Sequence, residues 1–236
     1  MGTFHFDTLG GEKMDRQLLV QALVKVTAGI VLLGALIFWP AGTFHFPGGW
    51  LLMGTLFIPM IIAGFVMMAK APGLLRKRLN MKEREAEQRE VILWSGIMFL
   101  AAFISAGLSF RFHVLMLPFG VSIAGAVLFL IGYALYAEVL RENEYLSRTV
   151  EVQEGQKVID TGLYGIVRHP MYMATVFIFL MMPLMLGSVI SFLIMLFYIP
   201  LIVKRIRNEE KVLEEGLAGY REYEKKVRYR MVPFVW

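Results

Sequence analysis

Long apolar runs separated by polar connections dominate the pattern along this chain. Six runs carry almost no charge, at residues 18–39, 49–69, 91–109, 114–137, 171–187 and 189–203. The first four are each about 20 residues long, enough for an α-helix to cross a hydrocarbon core of about 30 Å. The last two are shorter, and Gly187-Ser188 between them predicts a tight turn. The pattern therefore predicts an all-α, polytopic integral membrane protein with about six membrane helices, the last two forming a helical hairpin.

The polar connections predict additional helices and one turn. Residues 70–90 alternate in charge sign and follow Pro72-Gly73, which favours a solvated helix that begins there. Residues 150–159 predict a small hairpin or turn. Residues 204–230 have helical periodicity, which Gly216 and Gly219 are expected to kink or interrupt.

Composition strengthens the membrane interpretation. Of 236 residues, 57% are hydrophobic and 18% are charged, compared with about 45–50% and about 25% in soluble domains. So little polar surface cannot cover six apolar helices in water. There is no cysteine, which excludes disulfides, thiolate metal sites and a cysteine nucleophile. We expect no metal.

Basic residues alternate between the connections and predict the orientation. Residues 40–48 contain no Lys or Arg, whereas residues 70–90 contain seven, and the tail after residue 203 is also basic. The positive-inside rule then puts both termini and both long connections in the cytoplasm, with the chain in the cell (inner) membrane. This topology and contact with anionic headgroups of membrane lipids account for the net charge of +5. We therefore expect no nucleic-acid partner.

Two polar clusters bracket the predicted hairpin. Arg168-His169-Pro170-Met171-Tyr172 precedes it, and residues 204–210 follow it. A hairpin returns to the side it left, so both clusters should meet, and ionisable groups at a membrane boundary are costly unless paired or facing a cavity. Pro170 suits the first helical position, where free N–H groups favour an anionic group. Taken singly, His169 could cap a helix and Tyr172 could belong to an interfacial belt, but the convergence predicts a small-molecule site.

The motifs of the last third of the chain resemble the isoprenylcysteine carboxyl methyltransferase family and the related phospholipid methyltransferases. The motifs that carry this resemblance, over about residues 141–236, are Gln156-Lys157-Val158-Ile159, Gly162-Leu163-Tyr164, Arg168-His169-Pro170-Met171-Tyr172, Glu209-Glu210, Leu213, Tyr220, Tyr223 and Pro233. The resemblance implies an integral membrane methyltransferase that uses S-adenosyl-L-methionine.

The resemblance also implies roles for individual residues. The segment expected to lie along the cofactor consists of Gln156, Lys157, Val158 and Ile159, with Gln156 where the family often has a histidine. The other residues expected to hold the cofactor are Tyr164, His169, Pro170, Met171, Tyr172 and Glu209. Arg205, one helical turn before Glu209, is expected to bind the substrate's reacting group, and these two are the candidate catalytic residues.

The implied reaction is carboxyl O-methylation of an isoprenylcysteine-type group on a lipid-like or prenylated acceptor. Residues 138–236 would form the methyltransferase region, with a cytoplasmic cofactor-binding cap, and residues 1–137 the N-terminal membrane helices with the 70–90 linker. Phospholipid N-methylation is an alternative within the same class. A non-catalytic transporter or structural protein is an alternative of another class, although the last four runs lack the charged mid-membrane residues expected of a transport pathway.

Overall fold

The computed structural model describes residues 16–79, 86–143, 145–146 and 152–236. The regular secondary structure of this part of the chain is entirely helical. Its elements are α1 (Arg16–Ala41), α2 (Pro47–Lys70), α3 (Pro72–Leu79), α4 (Ala86–Phe112), α5 (Phe119–Glu142), a 3-10 helix (Gly162–Gly165), α6 (Pro170–Met185), α7 (Val189–Met195), α8 (Tyr198–Gly216) and α9 (Tyr220–Lys226).

Five apolar segments in the described part are long enough to cross a membrane. They are Arg16–Ala41, Pro47–Lys70, Arg89–Phe112, Phe119–Glu142 and Val189–Gly216, the last of which joins α7 and α8. Helix α6 is also apolar but has only 16 residues. Large apolar side chains such as Val31, Leu93 and Val127 are exposed along these helices, as lipid-facing positions require. The prediction of an all-helical, multi-pass membrane protein is confirmed.

Close packing between helices depends on small residues. A Cβ on Gly132 of α5 would lie 2.9 Å from Ile178 Cγ1 of α6, and a Cβ on Gly107 of α4 would lie 2.6 Å from the Ile37 carbonyl oxygen of α1. Glycine at such positions lets neighbouring backbones approach closely, and the contacts between membrane helices are then dominated by van der Waals packing. The hairpin that begins with α6 is thus held firmly against α5.

The hairpin turn forms where the sequence predicts it. Gly187 adopts φ +67°, which glycine tolerates without a Cβ penalty. The Ser188 hydroxyl then accepts a hydrogen bond from Ser191 N at 3.2 Å and caps α7. The second arm has a short turn at Leu196 and Phe197, and α7 and α8 together form one apolar span, Val189–Gly216.

The connections follow the predicted pattern in part. Helix α3 begins at Pro72, while residues 80–85 of the predicted 70–90 helix lie outside the described residues. Helix α8 ends at Gly216, and Gly219 has φ +84° immediately before α9, so the expected interruption is present. Residues 152–159 contain a turn from Gln153 to Gln156 without strand pairing, and residues 150 and 151 lie outside the described part.

Candidate active site

A cleft opens at the end of the hairpin opposite Gly187, where α6 begins and α8 leaves the apolar span. Every residue predicted for the site except Pro170 lines this cleft, namely Gln156, Lys157, Val158, Ile159, Tyr164, His169, Met171, Tyr172, Arg205 and Glu209. Pro170 is buried and begins α6, the position that its missing N–H suits. The structure therefore brings both ends of the hairpin and the residues 156–164 to one place.

A tyrosine from α6 connects the two candidate catalytic residues of α8. The Tyr172 hydroxyl donates to Glu209 Oε2 at 2.5 Å and accepts from Arg205 Nε at 2.9 Å. Arg205 and Glu209 are four residues apart and share one helix face. Because Tyr172 is buried, its hydroxyl fixes the orientation of both side chains. Arg205 and Glu209 are thus connected through a third residue, Tyr172.

Glu210 has a different environment from its neighbour Glu209. It is 3% exposed, and its carboxylate accepts hydrogen bonds from Arg168 Nη2 at 2.7 Å and from Arg230 Nε at 2.6 Å. His169 Nε2 lies 3.2 Å from the same carboxylate. A buried carboxylate with such partners is stable only as long as all of them are present. Glu210 therefore supports the wall of the cleft, a role that the sequence pattern did not separate from that of Glu209.

The C-terminal segment is hydrogen-bonded to the loop before α6. Arg168 N donates to the Tyr229 carbonyl at 2.9 Å, and His169 N donates to the Arg230 carbonyl at 2.7 Å. The Arg168 guanidinium also donates Nη1 to the Val227 carbonyl at 2.9 Å. Glu224 lies 3.4 Å from Arg168 Nη2, and burial raises the pKa of the Glu224 carboxyl. These bonds hold His169 at the entrance of α6.

The 3-10 helix positions Tyr164 on the opposite wall. The Glu142 carboxylate at the end of α5 accepts a hydrogen bond from Leu163 N at 3.0 Å, and Asn143 Nδ2 donates to the Tyr164 hydroxyl at 2.9 Å. Tyr223 of α9 donates its hydroxyl to the Tyr164 carbonyl at 2.7 Å. Sequence reasoning missed Glu142 and Asn143, which lie in a polar stretch beyond the apolar run 114–137 and carry no motif of their own.

Tyr220 places a hydroxyl without a hydrogen-bond partner among the described residues in the wall of the cleft. It lines the cleft and is 4% exposed, and its hydroxyl has no hydrogen-bond partner within the described part of the chain. Burial raises the pKa of Tyr220 above its usual range, so the hydroxyl remains neutral and can donate. Leaving a buried donor unpaired is costly, which favours a ligand atom beside it.

The lining combines both signs of charge with aromatic surface. Glu209 contributes a carboxylate, Lys157 and Arg205 contribute cations, and Tyr164 and Tyr172 contribute rings. Within the residues that the structure describes, no group of three or more His, Asp or Glu side chains is arranged to hold a metal ion. Such a lining can bind a small molecule that carries both a cation and an anion.

Comparison with known proteins agrees with this arrangement. Residues 123–215 match the Isoprenylcysteine carboxyl methyltransferase (ICMT) family. The match confirms the resemblance predicted from the sequence. It runs from α5 through the hairpin to the last residues of α8, and it includes Tyr164, His169, Tyr172, Arg205 and Glu209.

Part of the cleft lies outside the ICMT match. Tyr220 and Tyr223 line the cleft but lie beyond residue 215, outside the match, as does Arg230, which donates to Glu210. The chain is also similar to the Delta(14)-sterol reductase TM7SF2 of Mus musculus, with 30% identity over 91 residues, which is 37% of this chain and 22% of that protein. The matched segment thus spans about a fifth of the length of this relative.

Proposed function

We propose that this chain is a membrane methyltransferase that uses S-adenosyl-L-methionine and methylates the carboxylate of a lipid-like, isoprenylcysteine-type acceptor. The observation that carries the proposal is the Arg205–Tyr172–Glu209 arrangement, which lies where an apolar hairpin meets a polar cleft. A polar cofactor would enter from water and a lipid-borne acceptor from the bilayer, and the two would meet at these residues. The ICMT match over residues 123–215 supports the same reaction class.

The lining fits the proposed cofactor. Glu209 can accept hydrogen bonds from a ligand amine or hydroxyl, and Tyr220 has a buried hydroxyl that no described residue uses. Tyr164 and Tyr223 offer aromatic surface to a flat base. When bound, the cofactor supplies an activated methyl group on a sulfonium. The chain itself has to bind the cofactor and the acceptor, orient them towards each other and exclude water. These are the main contributions that a displacement at the methyl group requires.

Arg205 is the residue that we assign to the acceptor. It lies one turn closer to the apolar part of α8 than Glu209, and its Nε is held by the Tyr172 hydroxyl. A guanidinium is planar and always charged, and it matches the geometry of a carboxylate. A carboxylate acceptor needs no proton removed, so orientation by Arg205 suffices. An amine acceptor would need a base, for which Glu209 and His169 are the available groups.

Calorimetric titration in lipid nanodiscs tests cofactor binding. S-adenosyl-L-methionine and S-adenosylhomocysteine should bind the unaltered chain, whereas Glu209→Gln and His169→Ala should weaken binding by about tenfold or more, equivalent to about 1.4 kcal/mol. Glu222→Gln, at an exposed position of α9, is the matched control and should bind normally. Saturable binding of NADPH without binding of either methionine derivative would instead favour reductase chemistry.

An acceptor panel tests the reaction. Labelled cofactor should methylate a prenylcysteine carboxylate, and Arg205→Ala should lose turnover while its cofactor affinity stays within a few fold. Arg205→Lys should recover turnover only in part, because a point charge cannot reproduce the planar fork. Methylation of phosphatidylethanolamine but not of the prenylcysteine would replace this proposal by phospholipid N-methylation. Parallel loss of cofactor affinity in Arg205→Ala would move Arg205 to the cofactor.

We also propose that the chain lies in the cell (inner) membrane and that the cleft and both termini face the cytoplasm. The unaltered chain has no cysteine, so single cysteines report position cleanly. Glu154→Cys, in an exposed turn beside the cleft, should resist a membrane-impermeant thiol reagent in intact cells and react after lysis. His45→Cys, exposed between α1 and α2, should react in intact cells. The reverse result would invert the topology.

A further inference from the structure

Residues 231–236 form a compact turn, which we name the C-terminal hook. Met231 N and Val232 N each donate to the backbone oxygen of Trp236 at 3.0 Å, and Trp236 N donates to the Val232 carbonyl at 3.0 Å. Val235 N also donates to the Val232 carbonyl at 3.2 Å, so four backbone bonds close the hook on itself.

One side of the hook is fixed to the membrane helices. Met231 is buried in the apolar cluster that contains Tyr172 of α6 and Ile202 and Ile206 of α8, and Trp236 packs against the same cluster. The Arg230 guanidinium lies 5.5 Å from the centre of the Trp236 ring, which adds a cation–π contact. The hook therefore sits where α6 and α8 reach the edge of their apolar spans.

The other side of the hook is apolar and uncovered. Phe234 is 88% exposed and Val235 is 78% exposed, and Val232 beside them is partly exposed. Phe234 has φ +65°, a left-handed conformation that is strained for a bulky residue. The backbone thus adopts a costly conformation that leaves a phenylalanine pointing away from the protein, with the Tyr229 ring 5.3 Å away.

We propose that the C-terminal hook inserts Phe234 and Val235 into the interfacial layer of the membrane leaflet on which the cleft opens. Continuity with the membrane surface argues for this partner, because the cluster that holds the hook includes Ile202 of the membrane-spanning segment Val189–Gly216. Charge argues for it as well, since Arg228 is exposed three residues before the hook and basic residues favour anionic headgroups. Phe side chains are common on the apolar faces of segments that lie in this layer.

The hook also connects the membrane surface to the cleft. Arg230, which precedes the hook directly, donates Nε to Glu210 Oε2 at 2.6 Å. His169 contacts the same carboxylate from the entrance of α6. Insertion of the hook into the leaflet would therefore hold the Arg230–Glu210–His169 ion cluster at a fixed depth relative to the bilayer.

Fluorescence of single-cysteine variants in nanodiscs tests the proposal. Phe234→Cys carries an environment-sensitive NBD label, and Arg221→Cys on the exposed surface of α9 is the matched control. The label at 234 should emit at shorter wavelength than the label at 221. Phospholipids with a nitroxide near the headgroup should quench it at least about twofold more strongly. Val235→Cys should repeat the result, so that a folding defect of one variant does not decide the outcome.

Two results would overturn the proposal. The first is water-like emission and equal quenching at 234, 235 and 221. The second is a label that emits at shorter wavelength only when two or more protein molecules occupy one disc, and that the lipid nitroxide does not quench. That result would mean that a second copy of the chain covers the hook. Neither readout uses cofactor binding or turnover, so the proposal stands or falls separately from the proposed function.

Discussion

The 3-10 helix that carries Tyr164 begins at a glycine with no space for a side chain. Gly162 has φ +51°, and a Cβ there would overlap the carboxylate of Glu142. That carboxylate accepts the hydrogen bond from Leu163 N at 3.0 Å. We therefore expect Gly162→Ala to displace Glu142 and break this bond. A left-handed alanine costs about 1–2 kcal/mol, and losing a hydrogen bond to a charged group costs about 1.5–3 kcal/mol.

A second glycine separates the two contributions. Gly155 has φ +72° with nothing within 4 Å of an added Cβ, so Gly155→Ala incurs only the backbone cost. Gly162→Ala should lower the free energy of unfolding by about 1.5–3 kcal/mol more than Gly155→Ala. It should also weaken S-adenosylhomocysteine binding more than Gly155→Ala does, because it displaces the 3-10 helix that carries Tyr164. Calorimetric titration and thermal scans in detergent measure both quantities.

A double substitution checks the physical reason. Because Gly162→Ala already removes the contact of Glu142, adding Glu142→Ala should cost much less in that background than in the unaltered chain. Equal effects of Gly162→Ala and Gly155→Ala, or full additivity of Gly162→Ala with Glu142→Ala, would refute the collision argument.

Three other outcomes follow from the cleft. Glu210→Gln should lower the thermal unfolding midpoint sharply, since breaking a buried ion cluster costs about 3–5 kcal/mol. Glu209→Gln should keep its unfolding midpoint and lose turnover. Equal unfolding midpoints of the two variants would contradict the assigned roles. Tyr220→Phe should leave the ligand-free unfolding midpoint unchanged or raised, because it removes an unpaired buried hydroxyl, yet should weaken cofactor binding several fold in titration. Burial raises the pKa of the Glu224 carboxyl in the folded protein. Below the unfolded pKa of about 4.3 the carboxyl is protonated in both states, so the full stability is present. As pH rises through the higher folded pKa, the buried carboxyl ionises and this stability is lost. Glu224→Gln should therefore gain stability relative to the unaltered chain between about pH 4 and pH 7, and a flat difference in unfolding midpoint over that range would exclude this.

The membrane helices were predictable because their signal is local. Apolar length gave α2 within two residues of its observed bounds but placed α5 five residues too early, and Gly187-Ser188 marked the turn. The break between α7 and α8 was not predictable from hydropathy, because residues 189–203 remain apolar throughout. Hydropathy reports where a segment resides, whereas the turn at Leu196 and Phe197 has another signal, because Pro200 has no N–H to donate to the Leu196 carbonyl four residues earlier.

The site was predictable to the extent that it follows motif order. The cleft lining contains the residues 156–159, His169, Tyr172 and Glu209, which the motifs grouped together, and their binding of a cofactor stays a prediction. The different environments of Glu209 and Glu210 were not, because neighbouring helix residues point about 100° apart and the sequence does not say which one faces the cleft. The role of Asn143 depends on a contact with Tyr164, 21 residues away in the chain, which no local pattern encodes.

The ion pair between Arg168 and Glu210 has a consequence for biogenesis. The two residues are 42 positions apart, and the loop that they close contains α6, α7 and the apolar part of α8. A ribosome-bound chain presents Arg168 long before Glu210, and the pair can form only after the intervening segment has entered the bilayer and returned. Completion of the cleft therefore requires that the last hairpin has been inserted, and a chain stalled before that step would carry the Arg168 guanidinium at the membrane surface without its Glu210 partner.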